Sequence, residues 1–562
     1  MSDTYQFEMS SMSQSVDEPF KNKQWNYVND NNNGNYGSNS VSFDLSGLYN
    51  SQKFVIPNEM VLVIPLVAVL SQDNVAGLAG VNDFALGMKS GFYNCISSML
   101  IDYDTKTVQQ QTNNLNYFVS FKVNSSFSQD DINANSSTLG VFPDTATSWS
   151  YKTGAQNAVG NGMCNNNAVC AFPTLTNAYQ GEIGNYGLLS RQLTTSYNIN
   201  GANGVNVLRS TNNLTSELRS YTNRVSAGAT TDYQVYYITA QVRMKDLSSF
   251  FENCPMTRGF YARITLNMNL GSFAITKNNG AQTWALAGNN INFPNGTCPL
   301  MISPLAVGTV VNGACTQVVG GLYIGKVTSS LGTVNQSTLN VPSHPLPSCR
   351  IYCPMVDLHP EKALKYISEN RNKLIVYSDI YPAVITNVGA SSSFNYNVTN
   401  GLSGIQGILC IPFIASTVNG ICTAQASPFS PCVSPFASEP STTSPLGITQ
   451  FNVLVGGENA LALSLNYNFE NFIQQLSSVN SINGGASTGL NSGLIDQIGF
   501  ENIYKYYFVD LSRRSEDDIS PKSITLVGQN NNLVAMDIYV YVIYRRSAII
   551  DVETGKLRLE NL

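Results

Sequence analysis

Short runs of β-branched and aromatic residues, separated by clusters of Asn, Gly and Ser, recur along most of the 562-residue chain. Several runs alternate apolar and polar positions, as in Arg263–Asn269, so that an extended segment would bury one face and expose the other to solvent. This pattern is typical of all-β sandwiches and barrels. The clearest predicted strands are Phe54–Leu70, Asn116–Val123, Tyr233–Val242, Phe260–Asn269, Lys373–Tyr377 and Met536–Tyr544.

Helical periodicity is confined to a few short segments, which we expect to be inserts in loops between strands. In one of them Pro360 stands at a plausible first helical position, and Leu364 and Ile367 are predicted to face inward. The predicted helices are Val242–Phe251, His359–Glu369 and Phe469–Leu476.

A Gly- and Asn-rich stretch, residues 277–298, divides the chain near its middle, and each side has enough strands for one elaborated sandwich. Residues 1–40 end in the low-complexity stretch Asn29–Ser38, which can bury little by itself. The pattern therefore predicts an N-terminal arm at 1–40, a first sandwich at 41–276, a linker at 277–298 and a second sandwich at 299–562.

Charge is scarce for a chain of this size. The 30 Lys and Arg and 36 Asp and Glu make up 12% of the residues, about half the share typical of globular domains, and the net charge is -6. The hydrophobic fraction of 43% excludes a disordered chain, and the acidic balance argues against a basic nucleic-acid binder. Neutral Asn, Ser, Thr and Gln with 43 Gly disfavour long helical bundles.

The cysteine content and the N-terminal sequence indicate the cellular compartment in which the chain is made. Eleven cysteines, an odd number scattered through a long chain, favour reduced and buried thiols over a disulfide framework. Residues 1–30 lack the basic and apolar regions of a signal peptide. The apolar run Met60–Leu70 is too short to span a bilayer and contains Pro65. We expect synthesis in a reducing cytoplasm, without membrane insertion.

Two glycine-rich motifs resemble catalytic signatures. Gly485–Gly489 matches the G-x-S-x-G nucleophile elbow, but it lies in a predicted loop, and both histidines of the chain are far upstream. Gly320–Lys326 fits most of a phosphate-binding loop, but Val327 replaces the hydroxyl residue that would hold Mg²⁺. We interpret the first as a flexible turn and the second as a β-strand with glycines at its ends.

His344, Cys349, Cys353 and His359 form the nearest approach to a metal cluster, loosely compatible with zinc. The competing interpretation is stronger, because Cys349–Met355 has the pattern of a strand on which both cysteines share a buried face. We therefore assign no metal ligand, no catalytic residue and no cofactor.

The charged residues of the chain do not indicate a functional site either. Glu516–Asp518, after Arg513 and Arg514, has the character of a solvated loop, and paired glycosidase carboxylates cannot be recognised from sequence. Basic groups are scattered, with Arg545 and Arg546 as the other arginine pair, so no specific nucleic-acid binding is predicted.

Four segments, taken in order, resemble the major capsid proteins of polinton-like viruses and virophages, in the double jelly-roll lineage. The first looks like the close of the family's first jelly roll, and the second is similar to early strands of its second. The segments are Val242–Tyr261, Cys349–Met355 with Lys373–Asp379, Ser434–Pro445 with Ile448–Val453, and Tyr504–Arg513.

The resemblance implies two tandem jelly rolls, homotrimeric capsomers of pseudo-hexagonal outline, and an icosahedral shell around double-stranded DNA, without catalysis. The expected partners are further copies of the chain together with penton and minor or cement capsid proteins, and the expected location is the virion. We expect the arm at 1–40 to become ordered only against a neighbouring subunit or internal partner. The alternatives are a surface adhesin or carbohydrate-binding β-sandwich protein, and a β-sandwich hydrolase.

Overall fold

The structure is a computed structural model. It describes residues 19–50, 52–73, 84–143, 170–171, 190–191, 193, 197–198, 206–207, 221–224, 231–277, 284–295, 297–304, 317–327, 343–415, 447–462, 466–481, 492–502, 504–512, 520–532 and 535–560.

Strands dominate these residues. In the first part of the chain they are β1 Phe20–Asn29, β2 Ser40–Asp44, β3 Lys53–Val55, β4 Val61–Asp73, β5 Phe84–Met88, β6 Ile96–Tyr103, β7 Lys106–Thr112, β8 Cys170–Ala171, β9 Tyr197–Asn198, β10 Asn206–Val207, β11 Tyr221–Arg224, β12 Thr231–Arg243, β13 Ala262–Met268, β14 Gly271–Lys277, β15 Trp284–Asn292, β16 Leu300–Pro304, β17 Gln317–Ile324 and β18 Arg350–Leu358. They continue with β19 Asn372–Val388, β20 Ser392–Leu402, β21 Ile405–Ile414, β22 Ile448–Val455, β23 Glu458–Asn459, β24 Tyr507–Asp510, β25 Lys522–Asn530, β26 Met536–Asp551 and β27 Leu557–Glu560.

Helices connect these strands. They are α1 Leu115–Ser126, α2 Gln129–Leu139, α3 Met244–Leu247, α4 Ser249–Asn253, α5 Pro360–Asn370, α6 Phe469–Ser481 and α7 Gln497–Asn502, with 3-10 turns at Ser46–Leu48, Pro57–Glu59 and Phe92–Cys95.

Strand pairing in the second part of the chain defines a jelly roll, whose eight strands are lettered B to I in chain order. One sheet has the order β19-β26-β21-β24, which is B-I-D-G, and the other has the order β20-β25-β22-β23, which is C-H-E-F. Phe451 of β22 packs against Tyr507 of β24 with ring centroids 5.1 Å apart, so the two sheets face each other across a common core.

The first part of the chain has the same order. Strands β1, β18, β4 and β12 pair in succession as B-I-D-G. Strands β2, β13, β6 and β7 pair as C-H-E-F. On β13, the buried residues Ala262, Ile264, Leu266 and Met268 alternate with more exposed ones. One face of the strand therefore packs into the core, as the sequence pattern predicts. The prediction of an all-β chain with two jelly rolls and short helical inserts is confirmed.

The division between the jelly rolls differs from the predicted one. The predicted linker at 277–298 contains part of a hairpin, because Ser272 of β14 pairs with Asn292 of β15. This hairpin, with β16 and β17, is an insertion between strands H and I of the first roll. Strand I, β18, closes that roll with Cys349–Met355, which the resemblance had placed early in the second. The connection between rolls is α5. Glycine and asparagine mark turns, but they do not tell a hairpin from a domain boundary.

The predicted arm at 1–40 is also corrected in its described part. Strand β1 pairs along its length with β18, from Asn22 opposite Asp357 to Asn29 opposite Arg350. It is therefore strand B of the first roll and is ordered within its own chain. The partners are more than 300 residues apart, and local composition carries no information about such a distant pairing.

Segment Asn116–Val123, predicted as a strand, lies in helix α1. Its aromatic and β-branched residues favour a strand locally, but almost every side of the helix is buried. A helix that is apolar all round is stable when it is enclosed by tertiary packing. The prediction was wrong because this helix is enclosed between the two rolls: Tyr117 and Phe121 pack on the second, and Asn116 is hydrogen-bonded to Asn94 of the first.

The other predicted helices lie where expected. Helix α5 begins at Pro360, but Leu364 is 69% exposed, whereas Ala363 is buried and Ile367 partly buried. The inward face of α5 thus runs through positions 363 and 367, one residue away from the predicted Leu364. Helix α6 covers the third predicted segment, and the first is divided between the end of β12 and the two short helices α3 and α4.

A buried hydrogen-bond cluster anchors the C-terminal end of β1. The carboxylate of Asp30 accepts hydrogen bonds from the Tyr36 hydroxyl at 2.5 Å and from the Cys349 amide at 2.7 Å. Burial, with the nearby Cys349 and Asp30, raises the pKa of Tyr36, so that its hydroxyl keeps the proton it donates. The cluster ties the turn after strand B to the start of strand I.

Replacing Asp30→Ala would leave the buried Tyr36 hydroxyl without its acceptor and the Cys349 amide with only its longer hydrogen bond, 3.2 Å, to the Tyr36 hydroxyl. We expect the free energy of unfolding to fall by about 2 kcal/mol, measured by urea denaturation. Asp130→Ala, at an exposed carboxylate in the first turn of α2, is the control and should cost less than about 1 kcal/mol. Equal losses in the two variants would contradict the anchoring role.

Candidate functional site

Helix α1, which follows strand F of the first roll, packs on the second roll. Tyr507 of β24 points into the sandwich, so its neighbour Phe508 points outward, and this outer face of the B-I-D-G sheet receives the helix. Tyr117 of α1 lies with its ring 5.5 Å from Phe413 and 5.2 Å from Tyr539. We call the contact between the two rolls the junction.

Further along α1, Phe121 completes the aromatic part of the junction. Its ring is 5.2 Å from Tyr506 and 5.5 Å from Phe508. Where α1 begins, the Tyr541 hydroxyl donates to the carbonyl of Asn114 at 2.8 Å. Asn114 has a φ of 55°, a left-handed conformation that asparagine tolerates. The second roll thereby holds both the face and the first turn of the helix.

Helix α4 contacts the edge of the second roll's strand B. The Ser249 hydroxyl donates to the Ser378 carbonyl and accepts from the Ser378 amide, both at 2.8 Å. The Asn253 side-chain amide donates to the Val376 carbonyl at 3.0 Å. An edge strand presents unpaired backbone groups, and these two side chains satisfy three of them on β19.

An ion pair lies at the end of the junction near strand F of the first roll. Arg546 donates to Asp379 at 3.0 Å and also to the backbone carbonyls of Val108 and Thr107 at 2.8 and 3.2 Å. The Tyr544 hydroxyl donates to the same carboxylate oxygen at 2.8 Å. Arg546 therefore links the second roll to β7 of the first through charge-assisted hydrogen bonds.

Burial raises the pKa of Asp379, and the hydrogen bonds from Tyr544 and the Ile380 amide, with the charge of Arg546, lower it by less. The side chain of Asp379 is completely buried, whereas that of Arg546 keeps 22% of its surface exposed. A buried carboxylate of this kind depends on its cation, because an unpaired charge in this position carries a large desolvation penalty.

The four residues weighed as a zinc site, His344, Cys349, Cys353 and His359, do not form a metal-binding group. Cys349 and Cys353 share the core face of the strand that leads into and through β18, as the competing interpretation predicts. The His344 Nδ1 accepts from the Leu346 amide at 3.0 Å, and its ring packs on Tyr237. Among the residues that the structure describes, no group of three or more His, Cys, Asp or Glu could hold a metal ion.

The glycine-rich motif Gly320–Lys326 lies largely in β17, as predicted. A Cβ on Gly320 would come within 2.3 Å of the Phe273 ring, so the glycine is required by packing between β17 and β14. The motif Gly485–Gly489, the pair Arg513 and Arg514, and Glu516–Asp518 lie outside the described residues.

Six cysteines whose side chains the structure describes are free and buried: Cys95, Cys254, Cys298, Cys349, Cys353 and Cys410. Burial raises the pKa of each of these thiols, for Cys95 to about 12 with a contribution from Cys298. Such thiols stay protonated and unreactive near neutral pH. This agrees with the prediction of reduced, buried cysteines.

The described surface includes an aromatic face that the sequence pattern did not single out. Trp25 and Tyr27 on β1 are each 51% exposed, and the Tyr27 ring lies 5.9 Å from that of Tyr352 on β18. Asn26, between them, points to the other side and contacts Met355. No helix in the described ranges has both the length and the apolar character needed to cross a membrane.

No protein-family model matches the chain, and no curated protein matches it. Solved structures to which this one is similar include three viral ones. For the Sputnik virophage, solved by cryo-EM, identity is 11%, the TM-score 0.48 and coverage 97% of this chain and 90% of that chain. For the mavirus major capsid protein the values are 11%, 0.41, 95% and 90%, and for the Faustovirus major capsid protein 8%, 0.43, 95% and 92%.

These TM-scores are below 0.5. Similarity at this level does not define the fold class, which is given instead by the strand order of the chain itself. Two complete B-I-D-G and C-H-E-F sandwiches in one polypeptide define a double jelly-roll protein.

The aromatic part of the junction should dominate its stability. We expect Phe121→Ala to lower the free energy of unfolding by about 3–5 kcal/mol, because it removes a buried ring and leaves a cavity. Tyr396→Ala, at a ring that is 39% exposed on β20, should change it by about 0.5 kcal/mol or less. Chemical denaturation measures both, and a small loss for Phe121→Ala would contradict the assigned packing.

The ion pair predicts a pH dependence. A carboxyl whose pKa is higher in the folded than in the unfolded chain favours folding as the pH falls between the two values. Arg546→Met leaves Asp379 unpaired, which raises that pKa further. We expect a loss of about 3 kcal/mol at pH 7 that shrinks measurably near pH 5, relative to the unmodified chain, in urea denaturation.

Asp379→Asn in the Arg546→Met background is the control for that pH dependence. The neutral amide cannot take up the proton, so the acid-dependent recovery should disappear. If the double variant recovers as much as the single one, another group is responsible for the effect.

Proposed function

We propose that this chain is the major capsid protein of an icosahedral double-stranded DNA virus, and that it acts as a homotrimeric, pseudo-hexagonal capsomer. The observation that carries the proposal is the repeated B-I-D-G and C-H-E-F strand order within one chain. Three copies of a chain with two similar sandwiches present six similar units around one axis. Such a unit has the outline needed to tile a closed shell.

The junction supports this role. A tile that must meet several neighbours needs a fixed angle between its two sandwiches. Aromatic packing around Tyr117 and Phe121, edge contacts from Ser249, and the Asp379–Arg546 pair hold the two rolls by different kinds of interaction. Contacts spread over a helix face, a strand edge and an ion pair restrict both rotation and separation of the rolls.

The composition also fits an assembly protein. Only 12% of the residues are charged, and cores of protein interfaces are depleted in charge and enriched in aromatic residues. The chain then serves a structural rather than a catalytic role, and it meets penton and minor capsid proteins as well as its own copies. The resemblance of its sequence to the capsid family points the same way.

The buried thiols bear on the alternatives. Free, buried cysteines are those of a chain made in a reducing cytoplasm, before assembly into virions, rather than of an oxidised, secreted adhesin. No specific binding to the enclosed DNA is proposed, since the chain is acidic, with a net charge of -6, and would be repelled by phosphates.

The test is the mass and outline of the purified chain. We expect light scattering to give a species three times 61.0 kDa, and negative-stain images to show a hexagonal outline. The shape follows from six sandwiches around a three-fold axis. A stable monomer at micromolar concentration would contradict the proposed capsomer.

A further inference from the structure

Helix α1 has a line of polar side chains among its buried residues. Asn116, Ser120 and Asn124 are spaced four residues apart, so they lie one above another along the helix. Each of the three is at most 2% exposed. Polar groups enclosed in this way carry a desolvation penalty unless hydrogen bonds compensate for it. The groups that surround this line, from both rolls, therefore determine what it can bind.

At the start of the helix the first roll supplies part of the compensation. The Asn116 side-chain amide donates to Asn94 Oδ1 at 3.3 Å, and the Asn269 side-chain amide donates to the Asn94 carbonyl at 2.8 Å. The Oδ1 atoms of Asn116 and Asn269 are buried and accept no hydrogen bond from the described residues. The buried polar groups beside α1 thus outnumber the partners that the described residues offer them.

One turn further along, two tyrosines approach Ser120 from different rolls. Tyr93 lies in the 3-10 turn of the first roll that precedes β6, and Tyr506 leads into β24 of the second. They are 4% and 1% exposed. Neither hydroxyl makes a hydrogen bond to another group in the described part of the chain. Native structures rarely leave such buried hydroxyls uncompensated.

Ser120 is close to both of these hydroxyls. Burial raises the pKa of Tyr93, and that of Tyr506 to about 12, and in each case the Ser120 side chain lowers the pKa by less. Both phenols therefore keep their protons at neutral pH, and each can donate one hydrogen bond and accept another. The two rolls and α1 bring three neutral hydroxyls together.

We propose that an ordered water molecule binds between Tyr93, Ser120 and Tyr506, and that it joins the first roll, α1 and the second roll by hydrogen bonds. Buried waters typically make about three hydrogen bonds to polar groups that lack other partners. Three hydroxyls supply this number, and each of them can act as donor or acceptor. The water is thus a polar component of the junction, beside the aromatic packing of Phe121 on Tyr506 at 5.2 Å.

Water fits these ligands better than a metal ion does. Calcium and magnesium prefer six or more oxygen ligands, usually with carboxylates among them. The groups that meet here are neutral hydroxyls, and no group of three or more His, Cys, Asp or Glu that could hold a metal occurs in the described ranges.

The sign of a conservative substitution tests the site. If the water is bound, Tyr506→Phe removes one of its partners, and we expect the equilibrium constant for folding to fall about 5-fold. Without the water the sign is reversed, because phenylalanine then removes a buried polar group and no hydrogen bond is lost. Urea denaturation at one fixed protein concentration measures the change, and unchanged or increased stability would overturn the proposal.

A double-mutant cycle shows whether the two hydroxyls share one water. Tyr93→Phe and Tyr506→Phe disturb the same molecule, so the double variant should lose at least about 2-fold less than the product of the two single losses. Tyr541→Phe is the matched control, since its hydroxyl donates directly to the Asn114 carbonyl of the same helix. Its loss should multiply with that of Tyr93→Phe. Losses that multiply for Tyr93 and Tyr506 as well would contradict a shared water.

A high-resolution crystal structure of the purified chain observes the site directly, and it does so without any substitution. We expect density for a water about 2.5–3.0 Å from the hydroxyl oxygens of Tyr93, Tyr506 and Ser120. A direct hydrogen bond between two of these hydroxyls in place of the water would overturn the proposal. So would an ion with six or more oxygen ligands, or the absence of density.

Discussion

The packing of helix α1 against the outer face of the second roll is the contact on which the arrangement of the molecule depends. The two sandwiches are also joined by α5, by α4 and β7, and by hydrogen bonds from Tyr103 and Lys106 to the carbonyls of Gly555 and Leu557. At the α1 contact, Tyr117 and Phe121 are enclosed by aromatic residues of strands D, G and I. Edge-to-face ring pairs of this kind add orientation preference to the burial of apolar area.

The polar contacts of the junction have a different physical role from the aromatic ones. The backbone carbonyls of Thr107 and Val108 accept from Arg546, and the neighbouring Asp379 is wholly buried. Hydrogen bonds require definite distances and angles, whereas apolar packing tolerates small displacements. The aromatic cluster therefore supplies much of the stability, and the ion pair with the Ser249 contacts defines the register of one roll on the other.

Equal strand order in the two rolls does not make their surfaces equal. The second roll has its B-I-D-G face covered by the first, while β1 and β18 of the first roll keep Trp25 and Tyr27 exposed. The two rolls thus share one strand order but differ in which strands of that sheet have a buried outer face.

Local pattern alone determined the strand content, the alternating core positions of β13, and the helices α5 and α6, because these depend on residues a few positions apart. The partner of β1 and the helical state of Asn116–Val123 depend on contacts across hundreds of residues, and the course of the chain through 277–298 depends on a hairpin that composition does not reveal. Only the tertiary structure decided these: strand pairing fixed the first and third, and for Asn116–Val123 burial between the two rolls outweighs local strand preference. The junction also could not be predicted from the sequence, because its aromatic residues have the same local pattern as other core residues and meet only when the two rolls pack together.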